Sequence, residues 1–425
     1  MKAFEQLNLH PQILKAIQEQ SYPNPTKIQK KVIPLVLKNK DIIAASKSGT
    51  GKTAAFVLPI LDKMNKIVKP ENHIPRTIII VPTRELVDQI SKNLSNYGKH
   101  LKVRHTKIQG GISKTIQLEK LATGIDIIVA TPGRLKEFIT DDLIDISSVN
   151  TIVLDEADTM LELGFISEIE FLISQCSKNR QIMMFSATIS QNIKKLAKEF
   201  LIDPVSVEVS SRRDVVTLIN HKAYKVDKKR KDDLLSYIIK TSTYDQILIF
   251  VNTKDIANEL FEILKTNKIK VAAMHSDIEY KDRVKAIKDF RSKKVKVLIA
   301  TDIAARGIDI KELPLVINYE LPESTDDFTH RVGRTGRANN KGEVITLLTT
   351  SDYNRFTKIE RHLRLSIKRE VIDGFELKDR QPRQRQQVKK SLSEKKGKKI
   401  KKVPTKTGAK SKKTTKRDTN RTFRK

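Results

Sequence analysis

Short apolar runs alternate with longer stretches of mixed polarity along most of the chain. In the first half, these runs cover residues 42–46, 76–81, 125–130, 151–154 and 181–185. In the second half, they cover residues 246–251, 271–274, 295–300, 314–319 and 343–348. Short aliphatic runs separated by helix-like stretches are typical of buried parallel strands with crossover helices. The pattern predicts an α/β protein with two tandem parallel sheets, each flanked by helices.

A polar segment, residues 208–216, separates the two series of runs. A chain of 425 residues is too long for one core, so we expect a boundary between two domains there. The segment predicts a linker between a first domain, residues 1–207, and a second domain, residues 217–376. No direct sequence repeat links the two halves.

The remaining segment, residues 377–425, has a different composition. Residues 380–425 contain 20 Lys and Arg against two acids, Glu394 and Asp418, and one aromatic residue, Phe423. Such a segment cannot bury enough apolar surface to fold, so we predict a disordered basic tail. Its function is either to tether RNA, which we favour, or only to keep the chain soluble.

The charge of the whole chain indicates a polyanionic partner. The net charge is +32 and the sequence pI is about 9.9. Nucleic acid is the favoured partner, and an anionic membrane surface is the alternative. No apolar stretch approaches the roughly 20 residues of a membrane span, and the first residues lack the apolar core of a signal peptide. We therefore expect a cytoplasmic protein. A single cysteine, Cys176, excludes disulfides and thiolate metal sites and predicts a buried structural residue.

The first apolar run leads into the glycine-rich segment 46–53, with the sequence SKSGTGKT. Its glycines let backbone N–H groups surround phosphate oxygens at a helix start, Lys52 adds positive charge, and Thr53 offers a hydroxyl to Mg²⁺. The strict pattern has glycine where this chain has Ser46. Because the segment follows a strand, it predicts a nucleoside triphosphate site. The alternative is a chance Gly-Lys-Thr turn that begins a helix.

Two adjacent acids, Asp155 and Glu156, follow the run 151–154. At the exposed end of a buried strand, one can hold Mg²⁺ through water while the other polarises the attacking water. Adjacent acids alone usually lie on a solvated surface, so this interpretation depends on their position after the strand.

Other strand ends carry hydroxyls and guanidinium groups. Residues 82–84 and 131–134 each combine a threonine, a tight turn and an arginine, which suits sugar–phosphate contacts or simple helix capping by threonine. In the second half, Arg334 and Arg337 are three residues apart. They predict arginine fingers that reach a γ-phosphate across the domain boundary, and the alternative is a solvated basic loop. Residues 306–309 form a further turn that we expect to face the same cleft.

Over residues from about 4 to 350, the chain closely resembles the DEAD-box ATP-dependent RNA helicases of superfamily 2. Its motifs occur in the family's order at Gln29, 49–53, 82–86, 110–111, 131–134, 155–158, 186–188, 301–309 and 330–334. The resemblance implies two tandem RecA-like domains, ATP and Mg²⁺ as cofactors, and RNA as partner. Residues 226–231 and 373–376 look most like the bacterial RhlE-type branch.

The resemblance also implies a role for each matched position. ATP would be bound by Phe4, Gln29, Ser48, Gly49, Thr50, Gly51, Lys52, Thr53 and Asp309. Catalysis would depend on the general base Glu156 and on Asp155, Lys52, Arg334 and Arg337, with Mg²⁺ held by Thr53 and Asp155. Hydrolysis would be coupled to strand separation by Asp158, Ser186, Thr188 and His330. RNA would be held by Pro82, Thr83, Arg84, Gly111, Thr131, Gly133, Arg134, Thr253 and Thr301. Contacts with 2′-hydroxyls would favour RNA over DNA.

The chain departs from the family pattern at four positions. Ser21 and Lys27 replace a common glycine and proline, Ser46 replaces an alanine, and Tyr280 replaces a glutamine that often precedes the arginine matched by Arg283. None of these changes removes a charged catalytic group. We therefore expect full ATPase competence.

The sequence thus predicts an ATP-dependent RNA helicase that locally unwinds or remodels RNA duplexes and RNA–protein complexes. We expect a monomer that acts in ribosome assembly or RNA turnover, with ribosomal or RNA-decay partners. One alternative is an RNA-annealing or assembly factor that uses its ATPase as a release clock. A DNA translocase is a weaker alternative.

Overall fold

The computed structural model describes residues 2–46, 49–66, 74–187, 189–209, 219–305, 310, 313–336 and 342–378. These residues lie in one compact unit. The basic tail from residue 379 onward and most of the expected linker, residues 210–216, lie outside the described residues. We call residues 2–209 lobe 1 and residues 219–378 lobe 2.

The described part of lobe 1 contains a seven-stranded parallel sheet. Its strands are β1 (Ile42–Ala45), β2 (Thr77–Ile80), β3 (His105–Ile108), β4 (Ile127–Ala130), β5 (Thr151–Leu154), β6 (Gln181–Ser186) and β7 (Val205–Glu208). Their spatial order is β3-β4-β2-β5-β6-β1-β7. Successive residues of a strand pack on opposite faces of the sheet: Val129 belongs to one apolar cluster and Ile128 to the other. The sheet is therefore buried on both faces.

Helices cover both faces of this sheet. They are α1 (Lys2–Glu5), α2 (Pro11–Glu19), α3 (Lys27–Leu37), α4 (Lys52–Lys66), α5 (Arg84–Tyr97), α6 (Lys114–Ala122), α7 (Pro132–Thr140), α8 (Ala157–Glu162), α9 (Ile166–Ser174) and α10 (Gln191–Phe200). Helices α2 to α5 contribute to one apolar cluster, and α7 to α10 contribute to the other. Cys176 is buried in the second cluster.

The described part of lobe 2 repeats this arrangement. Its strands are β8 (Asn220–Lys225), β9 (Ile247–Val251), β10 (Val271–Met274), β11 (Val297–Thr301), β12 (Leu315–Asn318), β13 (Glu343–Leu348) and β14 (Arg369–Glu370). Their spatial order is β10-β11-β9-β12-β13-β8-β14. When the strands are numbered from one within each lobe, both sheets have the same order, 3-4-2-5-6-1-7. The prediction of two tandem RecA-like domains with parallel sheets is confirmed.

The helices of lobe 2 connect its strands in the same way. They are α11 (Lys231–Thr241), α12 (Lys254–Thr266), α13 (Tyr280–Arg291), α14 (Asp302–Ala305), α15 (Thr325–Val332) and α16 (Tyr353–Leu363), with 3₁₀ turns at Lys228–Arg230 and Thr350–Asp352. Two apolar clusters again lie on opposite faces of the sheet, with Leu248 in one and Ile249 in the other. In each lobe, the carboxyl ends of the parallel strands therefore lie along one edge of the sheet, and ligands bind at this edge in such sheets.

Asp41 connects three segments of lobe 1 beside the start of β1. Its side chain is buried, and its Oδ1 accepts a hydrogen bond from the Ile182 N–H at 2.8 Å. Its Oδ2 accepts one from the Ile202 N–H at 2.7 Å, and its carbonyl accepts one from the Val205 N–H at 2.8 Å. The carboxylate therefore joins β1, β6 and the segment that leads into β7.

Replacing Asp41 with alanine is expected to lower the free energy of unfolding by about 2–5 kcal/mol. Two buried N–H groups would lose their acceptor, and each unsatisfied donor costs roughly 1–3 kcal/mol. Urea unfolding of the full chain would measure the loss. Glu199→Ala, which removes an exposed acid from α10, is the control and is expected to change stability by less than about 0.5 kcal/mol. Equal changes in the two variants would contradict the role given to Asp41.

Candidate active site

The glycine-rich segment leads from β1 into helix α4, which begins at the buried Lys52. Gly51 has φ +93°, and a Cβ atom there would lie 2.4 Å from Nε2 of Gln29. Both facts require glycine at this position. The Gln29 Nε2 donates to the Gly51 carbonyl at 3.2 Å, while its Oε1 accepts from the Thr26 N–H at 2.9 Å. Gln29 therefore ties the first turn of α3 to the glycine-rich segment.

Ser46, a departure from the family pattern, is also part of this segment's support. It is 1% exposed, and its N–H donates to the Ser186 carbonyl at 3.1 Å. Its hydroxyl forms a hydrogen bond with the Thr50 hydroxyl. An alanine would leave the Thr50 hydroxyl without that partner. The serine therefore connects the start of the segment with its turn.

Asp155 and Glu156 lie at the carboxyl end of β5, as the sequence predicts. The Asp155 N–H donates to the Ile80 carbonyl at 3.1 Å, and its Oδ1 accepts from the Glu156 N–H at 3.0 Å. Burial raises the pKa of Asp155, and Lys52 opposes that rise. Burial, followed by the charge of Asp155, raises the pKa of Glu156 to about 7. Glu156 also has φ 57° and ψ 47°, a left-handed conformation that costs about 1–2 kcal/mol outside glycine.

Asp158 links this acidic pair to the end of β6 and to lobe 2. Its Oδ1 accepts from the Thr159 N–H at 3.1 Å, and its Oδ2 accepts from the Ala187 N–H at 2.9 Å. Burial alone would raise its pKa, but His330, Lys52 and hydrogen bonds from Ala187 and Ser186 together hold the pKa below its usual value. Asp158 therefore stays ionised.

The carboxylates of this site suit a hard divalent cation. Asp155 is 4% exposed, and its raised pKa shows that nearby positive charge does not fully balance its burial. The charge of Lys52 lowers the pKa of Asp155, Glu156 and Asp158, so one lysine partly compensates for three acids. Mg²⁺ prefers oxygen ligands of this kind and retains several waters. The residues present therefore fit Mg²⁺.

Lobe 2 brings Arg334 to the acidic pair. Arg334 is 8% exposed, and its charge acts against the rise in the pKa of Glu156. Its backbone is fixed in place: its carbonyl accepts from the Leu313 N–H at 3.1 Å. The structure thus assembles groups from both lobes at one site, which the spacing of the motifs predicts.

One turn before Arg334, the fully buried Arg331 organises the end of the lobe 2 sheet. Its Nε and Nη2 donate to the two carboxylate oxygens of Asp302 at 2.7 and 2.6 Å. Its Nη2 also donates to Asn252 Oδ1 at 2.8 Å, and its Nη1 donates to the Glu320 carbonyl at 2.6 Å. The motif that contains Arg331, residues 330–334, does not by itself predict this role. The signal was present, because Asp302 and Asn252 both directly follow strands.

Three arginines gather on another part of the same edge. Burial, followed by the charges of Arg283 and Arg134, lowers the pKa of Arg84. Gly111 has φ +77°, and a Cβ atom there would lie 2.4 Å from a terminal nitrogen of Arg84. The Arg134 Nη1 donates to the Ile112 carbonyl at 3.2 Å. This cluster of cations from both lobes suits an anionic backbone.

The threonines expected at this edge divide into two groups. Thr83 and Thr253 cap helices: their hydroxyls accept from the Leu86 and Ile256 N–H groups at 3.4 and 3.3 Å. Thr131 precedes α7, but its hydroxyl makes no capping bond in this described segment. The capping alternative is therefore realised for Thr83 and not for Thr131, and capping does not exclude a contact with RNA.

The remaining expected site residues differ in their surroundings. Phe4 is 3% exposed and packs in an apolar cluster of lobe 1, so its ring offers little surface for stacking in this conformation. Pro82 is buried, Gly133 is exposed, and Thr301 ends β11. Four expected site residues lie outside the described residues: Ser48, Thr188, Asp309 and Arg337.

Comparison with known proteins identifies the family. Residues 26–196 match the DEAD/DEAH box helicase model, and residues 230–339 match the helicase conserved C-terminal domain. The DEAD-box ATP-dependent RNA helicase RhpA of Helicobacter pylori is 35% identical over 361 residues, which cover 85% of this chain and 72% of RhpA. The chain belongs to the DEAD-box ATP-dependent RNA helicases. The helicase is also 36% identical over 358 residues to CshA of Bacillus subtilis, covering 84% of the chain and 72% of CshA.

Solved structures of S. cerevisiae Dbp5 resemble the helicase to different degrees. Dbp5 bound to RNA and ADP BeF3 is 32% identical, with a TM-score of 0.79 over 88% of the helicase and 96% of that chain. A Dbp5 variant bound to Nup159, Gle1, IP6 and ADP has a TM-score of 0.60 over 86% of the helicase and 96% of that chain. Within the described residues, the helicase has no helix that is both long and apolar enough to cross a membrane.

Proposed function

We propose that the helicase hydrolyses ATP between its two lobes and uses their closure to separate short stretches of RNA duplex. The observation that carries this proposal is that Glu156 of lobe 1 lies within reach of two positive charges, Lys52 from its own lobe and Arg334 from lobe 2, and both lower its pKa. Neither lobe has the complete set of charges. Chemistry is therefore expected only when the lobes are together.

The first group of residues binds the nucleotide. The backbone N–H groups of Gly49 to Thr53 surround the phosphates at the start of α4, and Lys52 pairs with their negative charge. Gln29 already holds the Gly51 carbonyl, so its amide couples base recognition to the position of this segment. Thr53 and Asp155 would hold Mg²⁺, partly through water, and the ion would supply positive charge beside the phosphates.

The second group of residues carries out hydrolysis. Glu156 orients the attacking water and accepts its proton, and its pKa of about 7 lies near the optimum for a general base at neutral pH. Arg334, together with Arg337, stabilises the charge of the transition state. Asp158 accepts a hydrogen bond from the Ala187 N–H, and the charge of His330 in lobe 2 lowers its pKa. Asp158 therefore connects the hydrolytic site with the lobe interface.

RNA occupies the edge that carries Arg84, Arg134 and Arg283. Burial, followed by the charges of Arg283 and Arg134, lowers the pKa of Arg84, and a phosphate group among the three arginines would offset their repulsion. Contacts to phosphates position RNA without reading its sequence. The higher TM-score of the RNA-bound form of Dbp5 supports a lobe arrangement suited to bound RNA. Binding energy gained on closure would bend one strand and release its partner, and phosphate loss would reopen the cleft.

Finer features of the helicase remain part of this proposal. We propose two domains, an interdomain linker and a disordered basic tail close to the expected bounds. The expected start of the linker at residue 208 moves to 210, because β7 ends at Glu208 and the Val209 N–H donates to the Ala45 carbonyl at 3.3 Å. The expected start of the tail at residue 377 moves to 379, because the Lys378 N–H donates to Asp227 Oδ2 at 2.7 Å. The segments 226–231 and 373–376 support an assignment to the RhlE-type branch. We further propose a cytoplasmic monomer that acts in ribosome assembly or RNA turnover.

ATP hydrolysis by the full chain is expected to be strongly stimulated by single-stranded RNA and weakly by DNA of the same sequence. The 2′-hydroxyl is what allows a protein to discriminate RNA from DNA at such a site. Phosphate release measured with RNA, with DNA and without nucleic acid, at several salt concentrations, tests this expectation. Equal rates under all three conditions would refute RNA-coupled hydrolysis, and stimulation by DNA alone would favour a translocase.

Glu156→Gln is expected to reduce RNA-stimulated turnover by about 10²- to 10⁴-fold, the usual contribution of a general base. Binding of ATP and RNA should persist, so the variant should hold RNA in the presence of ATP. Single-turnover hydrolysis and RNA release would be measured together. Glu170→Gln, an exposed substitution in α9, is the matched control and should retain wild-type turnover. Normal turnover by Glu156→Gln would contradict the role of general base proposed for Glu156.

Deletion of residues 380–425 is expected to weaken RNA binding and to reduce its dependence on salt concentration, while the maximal ATPase rate is retained. The segment carries 20 basic residues, and each phosphate it neutralises contributes to the salt dependence of binding. RNA affinity, strand annealing and ATPase would be compared at several salt concentrations. Loss of annealing with intact ATPase would favour the annealing factor, and loss of ATPase would contradict a tethering role.

A further inference from the structure

Helix α5 of lobe 1 and helix α13 of lobe 2 meet at the lobe interface. A cavity of about 530 Å³ lies between them, and both helices contribute to its walls. The first turns of the two helices are joined by direct hydrogen bonds. These bonds involve residues Glu85, Asp88, Tyr280 and Arg283.

Asp88 is oriented by its own lobe. Its Oδ1 accepts from the Lys107 Nζ at 2.6 Å and from the Gln109 Nε2 at 3.4 Å. Lys107 lies in β3 and Gln109 directly follows it. Both donors use the same oxygen, so the second oxygen faces the lobe interface. Lobe 1 therefore holds a carboxylate acceptor in position for a donor from lobe 2.

Tyr280 supplies that donor. Its hydroxyl donates to the Asp88 Oδ2, 192 residues earlier in the chain. Tyr280 is the first residue of α13 and is partly buried. Its side chain has only two main torsions, so it reaches across the interface at a small cost in conformational entropy. This position is also one of the four departures from the family pattern.

A second contact fixes the orientation of the two helices. The Arg283 Nε and Nη2 donate to the Glu85 Oε1 at 2.9 and 2.8 Å. On each helix the two residues are three positions apart and therefore lie on the same face. Two contacts at this spacing restrict rotation of α13 against α5 as well as their separation.

We infer that Tyr280 is a positioning residue for RNA-coupled ATP hydrolysis. Its hydroxyl, held by Asp88, stabilises the closed arrangement of the lobes in which Arg334 faces Glu156. This inference rests on the proposed closure of the lobes. It gives Tyr280 a role distinct from contact with RNA, because its polar atom is directed to lobe 1.

The inference has a specific kinetic consequence. If only the closed form is competent, apparent affinity falls with the closed fraction, whereas saturating ligands can still drive closure. Loss of the hydroxyl should therefore raise the half-maximal RNA and ATP concentrations and leave kcat nearly unchanged. One hydrogen bond to a partly exposed carboxylate corresponds to about a three- to tenfold change.

The decisive experiment compares Tyr280→Phe with the wild-type full chain. Affinity for a single-stranded RNA is measured without nucleotide and with ADP–BeF3, and RNA-stimulated ATPase is measured in parallel. We expect nucleotide-free affinity to be unchanged and affinity with ADP–BeF3 to fall about three- to tenfold. An equal loss with and without nucleotide would instead indicate direct contact with RNA and would overturn the inference, as would no loss at all.

A double-mutant cycle with Asp88→Asn identifies the partner. If the two side chains act through one contact, the double variant should lose no more than the larger single loss. If the affinity losses of the two single variants multiply in the double variant, the assignment of Asp88 as the partner of Tyr280 would be overturned. Tyr237→Phe is the matched control, because that exposed tyrosine packs on Phe375 within lobe 2. If the wild-type chain lacks RNA stimulation, the proposed function fails; if it is stimulated and Tyr280→Phe is unchanged, only this inference fails.

Discussion

Buried charge at the lobe interface is the constraint that governs the rest of the structure. Lobe 1 places three acids near one lysine, Lys52, and burial, followed by the charge of Asp155, raises the pKa of Glu156 to about 7. Burial of a charge is unfavourable unless a partner compensates for it. Lobe 2 brings Arg334 and His330 to the same acids. The acidic site of lobe 1 therefore favours the presence of lobe 2, and in the proposed function the same groups would contribute to closure of the lobes.

The same fold used twice explains how these charges meet. Both described sheets have the strand order 3-4-2-5-6-1-7 when their strands are counted within each lobe. Parallel strands end on one edge, so each lobe has an edge that collects polar loops. In lobe 1, Asp155 directly follows the fifth strand, β5. In lobe 2, helix α15 follows the fifth strand, β12; Arg331 lies in this helix and Arg334 lies two residues after its end. The two lobes thus share an architecture, and lobe 1 contributes acids to the shared site while lobe 2 contributes arginine.

The sequence predicts the interior of this fold better than its edges. Ten apolar runs correspond to strands, because a strand covered on both faces needs continuous apolar residues, as in Ile127–Ala130. The strands that were missed, β3, β7, β8 and β14, lie at or near sheet edges and carry polar residues, as in Asn220–Lys225. Motifs likewise predict that Asp155 and Glu156 lie at the end of a strand. They do not predict the bonds of Gln29 or the contact between Tyr280 and Asp88, because these depend on tertiary packing across 22 and 192 residues.

Hydrogen bonds of Arg331 hold helix α15 firmly on the sheet of lobe 2. The position of Arg334 therefore depends on the position of lobe 2 as a whole. Arg331 donates four hydrogen bonds to Asp302, Asn252 and Glu320, and its guanidinium lies 5.1 Å from the centre of the Phe250 ring. These partners follow three different strands of the sheet, so helix α15 cannot rotate without breaking several charge-assisted bonds. Arg334 follows one turn later on this fixed support. Its distance from Glu156 is therefore set by the orientation of lobe 2 as a body, and under the proposed function the contacts between α5 and α13 would influence hydrolysis from outside the site.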